Sequence, residues 1–90
     1  MRVLRLAVKG EYFRAIRDFS KKEEYRLYNE YWKKRLCGKE FDRLEITLGY
    51  PKNGDHDKIL MRPWRGYKIK TIIHKHFGDS PVKVFAIRVN

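Results

Sequence analysis

A chain of 90 residues makes a single domain that buries roughly 60% of its unfolded surface, so the core must be compact and there is no room for a second domain. The 22 Lys and Arg against 11 Asp and Glu give a formal charge of +11, which points to an acidic partner and above all to nucleic acid, because neutralising phosphates releases condensed counterions. The single cysteine, Cys37, excludes an internal disulfide; with no signal-peptide core after Met1-Arg2 and no run of about 18 apolar residues, the expectation is a soluble, cytoplasmic protein with no membrane partner.

In chain order, Leu4, Leu6 and Val8 fall on one face with Arg5 and Lys9 on the other, which predicts a strand from Val3 to Val8. Tyr12, Ala15, Ile16 and Phe19 recur at helical spacing and predict an amphipathic helix over 11–19. Directly after it, SKKEEYR sets Lys21, Glu24 and Arg26 at i, i+3 and i+5. If this segment is extended, Glu24 and Arg26 share one face, because strand side chains repeat every two residues, and Lys21 lies at the junction. Such a triad binds a phosphate or a polar base edge through Lys21 and Arg26, with Glu24 orienting them or accepting hydrogen bonds.

A second helix is expected from an Asn29 N-cap, with Tyr28, Trp32 and Leu36 in its inward stripe, Lys33, Lys34 and Arg35 in its last turn, and Gly38 as its stop. From Asp42 the period changes to two, with Leu44, Ile46 and Leu48 alternating with Arg43, Glu45 and Thr47. The turn-rich Gly49 to Asp55 stretch follows, as a hairpin connection or a functional loop. Strands are then expected over Tyr67 to Ile73 and Val82 to Val89, around a Gly78-Asp79-Ser80-Pro81 turn, with room for a short one at Lys58 to Met61. The order β, α, β, α, then mostly β suggests an α+β fold: a small, partly open barrel of about five strands with two short helices beside it.

The segment Phe19-Ser20-Lys21-Lys22-Glu23-Glu24-Tyr25-Arg26 resembles the GxKxxExR signature of the ASCH domain family, relatives of the PUA RNA-binding domains. It matches at Lys21, Glu24 and Arg26, with Phe19 where the signature has glycine. The order of elements is also similar along nearly the whole chain. The resemblance implies a β-barrel with helices framing a cleft, the signature residues projecting into it, and RNA or a modified nucleotide as ligand. The family also holds nucleases and an amidohydrolase acting on modified cytidine. Glu24 stands at the position of that amidohydrolase's threonine nucleophile, so its chemistry is not expected here.

Met61-Arg62-Pro63-Trp64-Arg65-Gly66-Tyr67 interleaves aromatic and cationic residues. Arg62 and Arg65 suit phosphates, and Trp64 suits base stacking; equally, Trp64 suits a core anchor at a loop corner. His74 and His76 alternate, but two ligands do not complete a metal site, and no metal or cofactor is expected. As a proton-transfer pair for RNA cleavage they are better suited. Cys37 has no histidine beside it and reads as incidental.

The sequence therefore points to an RNA- or nucleotide-binding domain whose basic cleft is built on Lys21, Glu24 and Arg26, flanked by Arg62, Trp64 and Arg65. A ribonuclease acting on single-stranded RNA through the same cleft is the alternative, with Lys21 stabilising phosphate charge and Glu24 or a histidine moving a proton. A basic protein-interaction module is the second alternative.

Overall fold

A computed structural model of the chain describes residues 2–51 and 55–90. Its elements are β1 (Val3–Val8), α1 (Gly10–Arg17), β2 (Glu23–Leu27), α2 (Glu30–Leu36), β3 (Arg43–Leu48), β4 (Ile59–Pro63), β5 (Tyr67–Ile72) and β6 (Val82–Arg88), with a short 3-10 turn at His56–Lys58 before β4. Lys52, Asn53 and Gly54, the middle of the turn-rich stretch, lie outside the described residues. The strands on either side of that stretch, β3 and β4, pair antiparallel.

The six strands form two three-stranded sheets, ordered β1-β3-β4 and β2-β6-β5. β1 and β3 run parallel, with Leu4 opposite Leu44 and Leu6 opposite Ile46. A parallel pair requires a long crossover, and here it comprises α1, β2 and α2, with β2 belonging to the second sheet. The core is filled by the alternating side chains of β1 and β3, by Phe13 and Ile16 of α1, by Leu36 of α2, and by Phe85 and Ile87 of β6.

The expected barrel of about five strands does not form. Both sheets are open, and the edge strands of one do not pair with those of the other among the described residues. β1 pairs with β3 and β2 with β6, and what links the two sheets at the β1 edge is a side-chain contact, Nη2 of Arg26 donating to the Ala7 carbonyl at 2.8 Å, rather than a strand ladder.

The first helix also departs from its predicted span. It ends at Arg17, and its buried residues are Phe13 and Ile16, so the apolar face is turned by one residue from the Tyr12–Phe19 stripe. Phe19 lies beyond the helix with φ 68 and is 59% exposed. The second helix keeps its N-cap, the Asn29 side chain accepting the Trp32 amide at 3.0 Å. β5 stops at Ile72, one residue short of expectation. Among the described residues, no helix is long and apolar enough to cross a membrane.

Candidate functional site

The site begins at the end of α1. The Phe19 amide donates to the Ile16 carbonyl at 3.1 Å and the Ser20 amide to the Ala15 carbonyl at 3.0 Å, the paired bonds of a Schellman C-cap with Phe19 as its left-handed residue. Glycine is favoured there because a Cβ costs roughly 1–2 kcal/mol. Phe19 therefore adopts the backbone that the signature's glycine would favour. The reversal sends Lys21 back across the helix end and starts β2 two residues later.

Asn90 fastens this turn. Its Nδ2 donates to the Ile16 carbonyl at 2.9 Å and to the Lys21 carbonyl at 2.8 Å, and its Oδ1 accepts Nε of Arg62 at 2.9 Å. The Val89 amide donates to the Lys22 carbonyl at 2.9 Å. The main chain around Lys21 is thus tied to the end of β6 on one side and to α1 on the other.

In β2 the two-residue repeat puts Glu24 and Arg26 on one face, and Lys21 meets them there. Lys21 Nζ lies 4.0 Å and Arg26 Nη1 3.7 Å from Glu24 Oε1. Glu24 is buried. Its Oε1 accepts the Tyr25 amide at 3.0 Å, whereas its Oε2 is buried without a donor among the described residues. An unmet buried acceptor costs about 1–3 kcal/mol, more for a charged one.

Arg26 is directed largely by the protein itself. Nη1 donates to the Tyr25 carbonyl at 2.9 Å and Nη2 to the Ala7 carbonyl at 2.8 Å, while the guanidinium carbon sits 5.4 Å from the Trp32 ring centroid. Burial pulls its pKa below the usual arginine value, and the Glu24 carboxylate opposes that shift. Lys21 places its ammonium between two rings, 5.0 Å from Tyr12 and 4.9 Å from Tyr25. Cation–π contacts of this kind hold the ammonium in place beside the Glu24 carboxylate.

Glu24 and Arg26 form part of the wall of an open cavity of about 960 Å³, within the range of small-molecule sites. The rest of the wall is largely aromatic, with Tyr12 of α1, Trp32 of α2, and His74 and Phe77 beyond β5, joined by the basic Arg5 and Lys9 and by Thr47 to Tyr50 at and after the end of β3. Lys21 stands behind this wall, next to Tyr12 and Tyr25. His74 and His76 are in a turn, so strand alternation does not govern them. The His76 amide donates to Nδ1 of His74 at 3.1 Å, which leaves the proton of a neutral ring on Nε2. The His74 ring packs 5.7 Å from Tyr25 and 5.9 Å from Tyr12.

Arg62, Trp64 and Arg65 do not join the triad in this cavity. Arg62 serves the α1 end, donating to Asn90, to the Met61 carbonyl at 3.0 Å and to the Ile16 carbonyl at 3.3 Å. Trp64 packs on the core with its ring 4.9 Å from Phe41, the anchoring role weighed above. Arg65 is exposed elsewhere. Cys37 is exposed and meets the Tyr67 hydroxyl at 3.9 Å. Tyr12, Tyr50 and Arg5 line the cavity without carrying a motif; Tyr50, just past the end of β3, has the signal that sites collect where strands end in loops, whereas Arg5 within β1 and Tyr12 within α1 have none. Among the described residues, no group of three His, Cys, Asp or Glu side chains is placed to hold a metal ion.

No family model, no curated protein and no solved structure matches this chain.

Proposed function

We propose that the cavity binds a nucleotide of RNA, with the base between aromatic walls and its N–H edge on Glu24. The observation that carries this reading is the buried Glu24 carboxylate, flanked by Lys21 and Arg26, whose Oε2 has no donor among the described residues. A carboxylate is acceptor-only, so the group that completes it is a donor, such as a base amino or ring N–H. Aromatic faces supply stacking at about 1–3 kcal/mol per base, and the net charge of +11 supplies counterion-release affinity for phosphate. The signature resemblance to the ASCH family supports the same ligand class.

The test is equilibrium binding of a labelled single-stranded RNA to wild type and Glu24→Gln. The amide presents a donor where an acceptor is needed, so affinity should fall by tenfold or more, about 1.4 kcal/mol, with the far-ultraviolet spectrum unchanged. Equal affinity for the two proteins would sink the proposal.

A second reading, cleavage of RNA in the same cavity, draws on His74. Its ring is in the wall with Nδ1 accepting the His76 amide, which leaves Nε2 as the nitrogen available for proton transfer. Loss of full-length end-labelled RNA with wild type but not with His74→Gln would establish it; intact RNA with both would dismiss it.

A further inference from the structure

A second concavity adjoins the cavity around Glu24. It has a volume of about 600 Å³ and lies between the first half of β1, the outer face of α2 and the chain just beyond that helix. Arg5, Tyr31 and Trp32 line both. A single groove therefore follows β1 along its length, and six residues at about 3.3 Å each make that on the order of 20 Å.

The two halves of the groove differ in chemistry. Around Glu24 the wall is mainly aromatic, with the buried Glu24–Arg26 pair and the cations Arg5 and Lys9. In the second half the charged side chains are Arg2, Arg5, Lys34, Arg35 and Lys39, with no carboxylate in the lining. Arg5 is paired with Glu45 at 3.1 Å. Arg2, Lys34, Arg35 and Lys39 enter none of the ion pairs among the described residues.

Local structure explains the clustering. Tyr31, Lys34 and Arg35 are at i, i+3 and i+4 on α2 and so share one helix face, where the Arg35 guanidinium lies 4.1 Å from the Tyr31 ring centroid. Tyr31 is 56% exposed, edge-on to Trp32 at 5.3 Å, and stands where the two halves meet. Clustered cations with no internal counterion favour a polyanion along the groove. An exposed ring between them and the cavity favours one that carries flat, stackable groups, a combination characteristic of single-stranded nucleic acid sites. An acidic protein surface would use the charges but not the stacking ring or the cavity.

From this we infer that the ligand is a segment of single-stranded RNA rather than a free nucleotide, one nucleotide seated at Glu24 and the phosphates of its neighbours held on Arg2, Lys34, Arg35 and Lys39. The inference rests on the cavity reading above and extends it to the substrate class. The groove also sets a path, because the strand must leave the cavity past Tyr31 and run toward the Arg2 end of β1.

The test compares a labelled mixed-sequence RNA hexamer with the ribonucleoside monophosphates, over a salt series, on three proteins: wild type, Lys34→Ser/Arg35→Ser/Lys39→Ser, and Lys21→Ala/Glu24→Gln. Positions 34, 35 and 39 are exposed, so the triple variant keeps the fold. The hexamer should bind wild type at least tenfold more tightly than any monophosphate. The slope of log affinity against log salt should shrink by about two in the triple variant, at about 0.7 per lost single-strand phosphate contact, with monophosphate affinity unchanged. Equal affinity for hexamer and monophosphate, or a wild-type slope in the triple variant, overturns the inference and leaves the cavity reading standing. Equal competition by a glutamate-rich peptide of matching charge also overturns it, assigning the groove to an acidic protein. Hexamer binding indifferent to Lys21→Ala/Glu24→Gln overturns the cavity reading and the inference together.

Discussion

Arg26 lies 3.7 Å from Glu24, yet its two terminal nitrogens donate to main-chain carbonyls: Nη1 to Tyr25 in its own strand and Nη2 to Ala7 in the other sheet. It is at once a counterion and a tie between the two sheets. Only a planar fork reaches both carbonyls while keeping a charge beside a carboxylate.

Arg26→Lys should therefore fail to rescue Arg26→Ala. The alanine variant loses two charge-assisted bonds and leaves the buried Glu24 with Lys21 as its remaining cation, a loss of about 3 kcal/mol. The lysine variant keeps the charge without the fork and should recover less than half of it. Urea unfolding midpoints of the three proteins decide this; a lysine variant as stable as wild type would show that charge alone matters at this position.

Phe19 offers the opposite case, a residue whose replacement stabilises. Its φ of 68 costs roughly 1 kcal/mol for any residue with a Cβ. The ring returns part of this through Arg62, whose guanidinium lies 5.1 Å from its centroid, a contact worth about 0.5 kcal/mol when exposed. Phe19→Gly should gain up to about 0.5 kcal/mol and Phe19→Ala should lose about as much, leaving a gap of about 1 kcal/mol between the two. Equal midpoints for the glycine and alanine variants would mean that the left-handed backbone is not adopted in solution.

How much of the site could be read from the sequence follows from these two residues. Glu24 and Arg26 were legible because a period of two needs no tertiary information. The junction that delivers Lys21 to them was not, because the left-handed turn is made by a phenylalanine, which carries none of glycine's signal and instead extended the apparent apolar stripe of α1. Strand existence was legible from Leu4, Leu6 and Val8 and from Leu44, Ile46 and Leu48. Strand pairing was not: that β2 joins β6 rather than β1 is a tertiary choice that no spacing encodes. Trp64 kept two readings at the sequence level because an aromatic–cation run looks alike as a platform and as a packed corner, and the structural role of Arg62 at the α1 end had no signal in that run. The basic groove went unread because its charges come from β1, α2 and the chain beyond it, brought together only by packing.

Asn90 should matter more than an amide at that position suggests. Asn90→Ala removes two donors from the α1–β2 turn and one acceptor from Arg62, roughly 2–3 kcal/mol at about 1 kcal/mol per bond. Asn90→Asp retains only the Arg62 contact and should recover a minor part. Hydrogen exchange of the Lys21 amide, bonded to the Ala15 carbonyl at 3.1 Å, should accelerate in both variants. Unchanged exchange together with unchanged stability would remove Asn90 from the account of how Lys21 is held.

Alkaline pH should loosen the wall behind the cavity. The Tyr25 phenol titrates above its ordinary value, first because it is partly buried and next because Glu23 is beside it, with Lys70 pulling the other way. Burial likewise raises Tyr67, with Cys37 adding to the shift. A phenol whose pKa is raised by folding stabilises the fold below its unfolded value of about 10, and that contribution disappears as pH climbs through the folded value. The urea midpoint should hold steady up to about pH 10 and then fall, with a smaller fall in Tyr25→Phe. A midpoint falling equally in that variant would place the alkaline transition elsewhere.

The pairing of β2 with β6 also bears on the order in which the molecule assembles. Glu24 lies opposite Ile87, so the strand that carries the carboxylate finds its hydrogen-bonding neighbour only after most of the intervening chain has been made. The β1–β3 pair must likewise form around a crossover whose middle strand is claimed by another sheet. Ladders closed over such long separations raise contact order and slow folding. The two helices should become protected early in refolding, and the amides of Glu24 and Tyr25 late, so that a chain released before β6 emerges from the ribosome carries its basic side chains but has no strand to seat the Glu24 carboxylate.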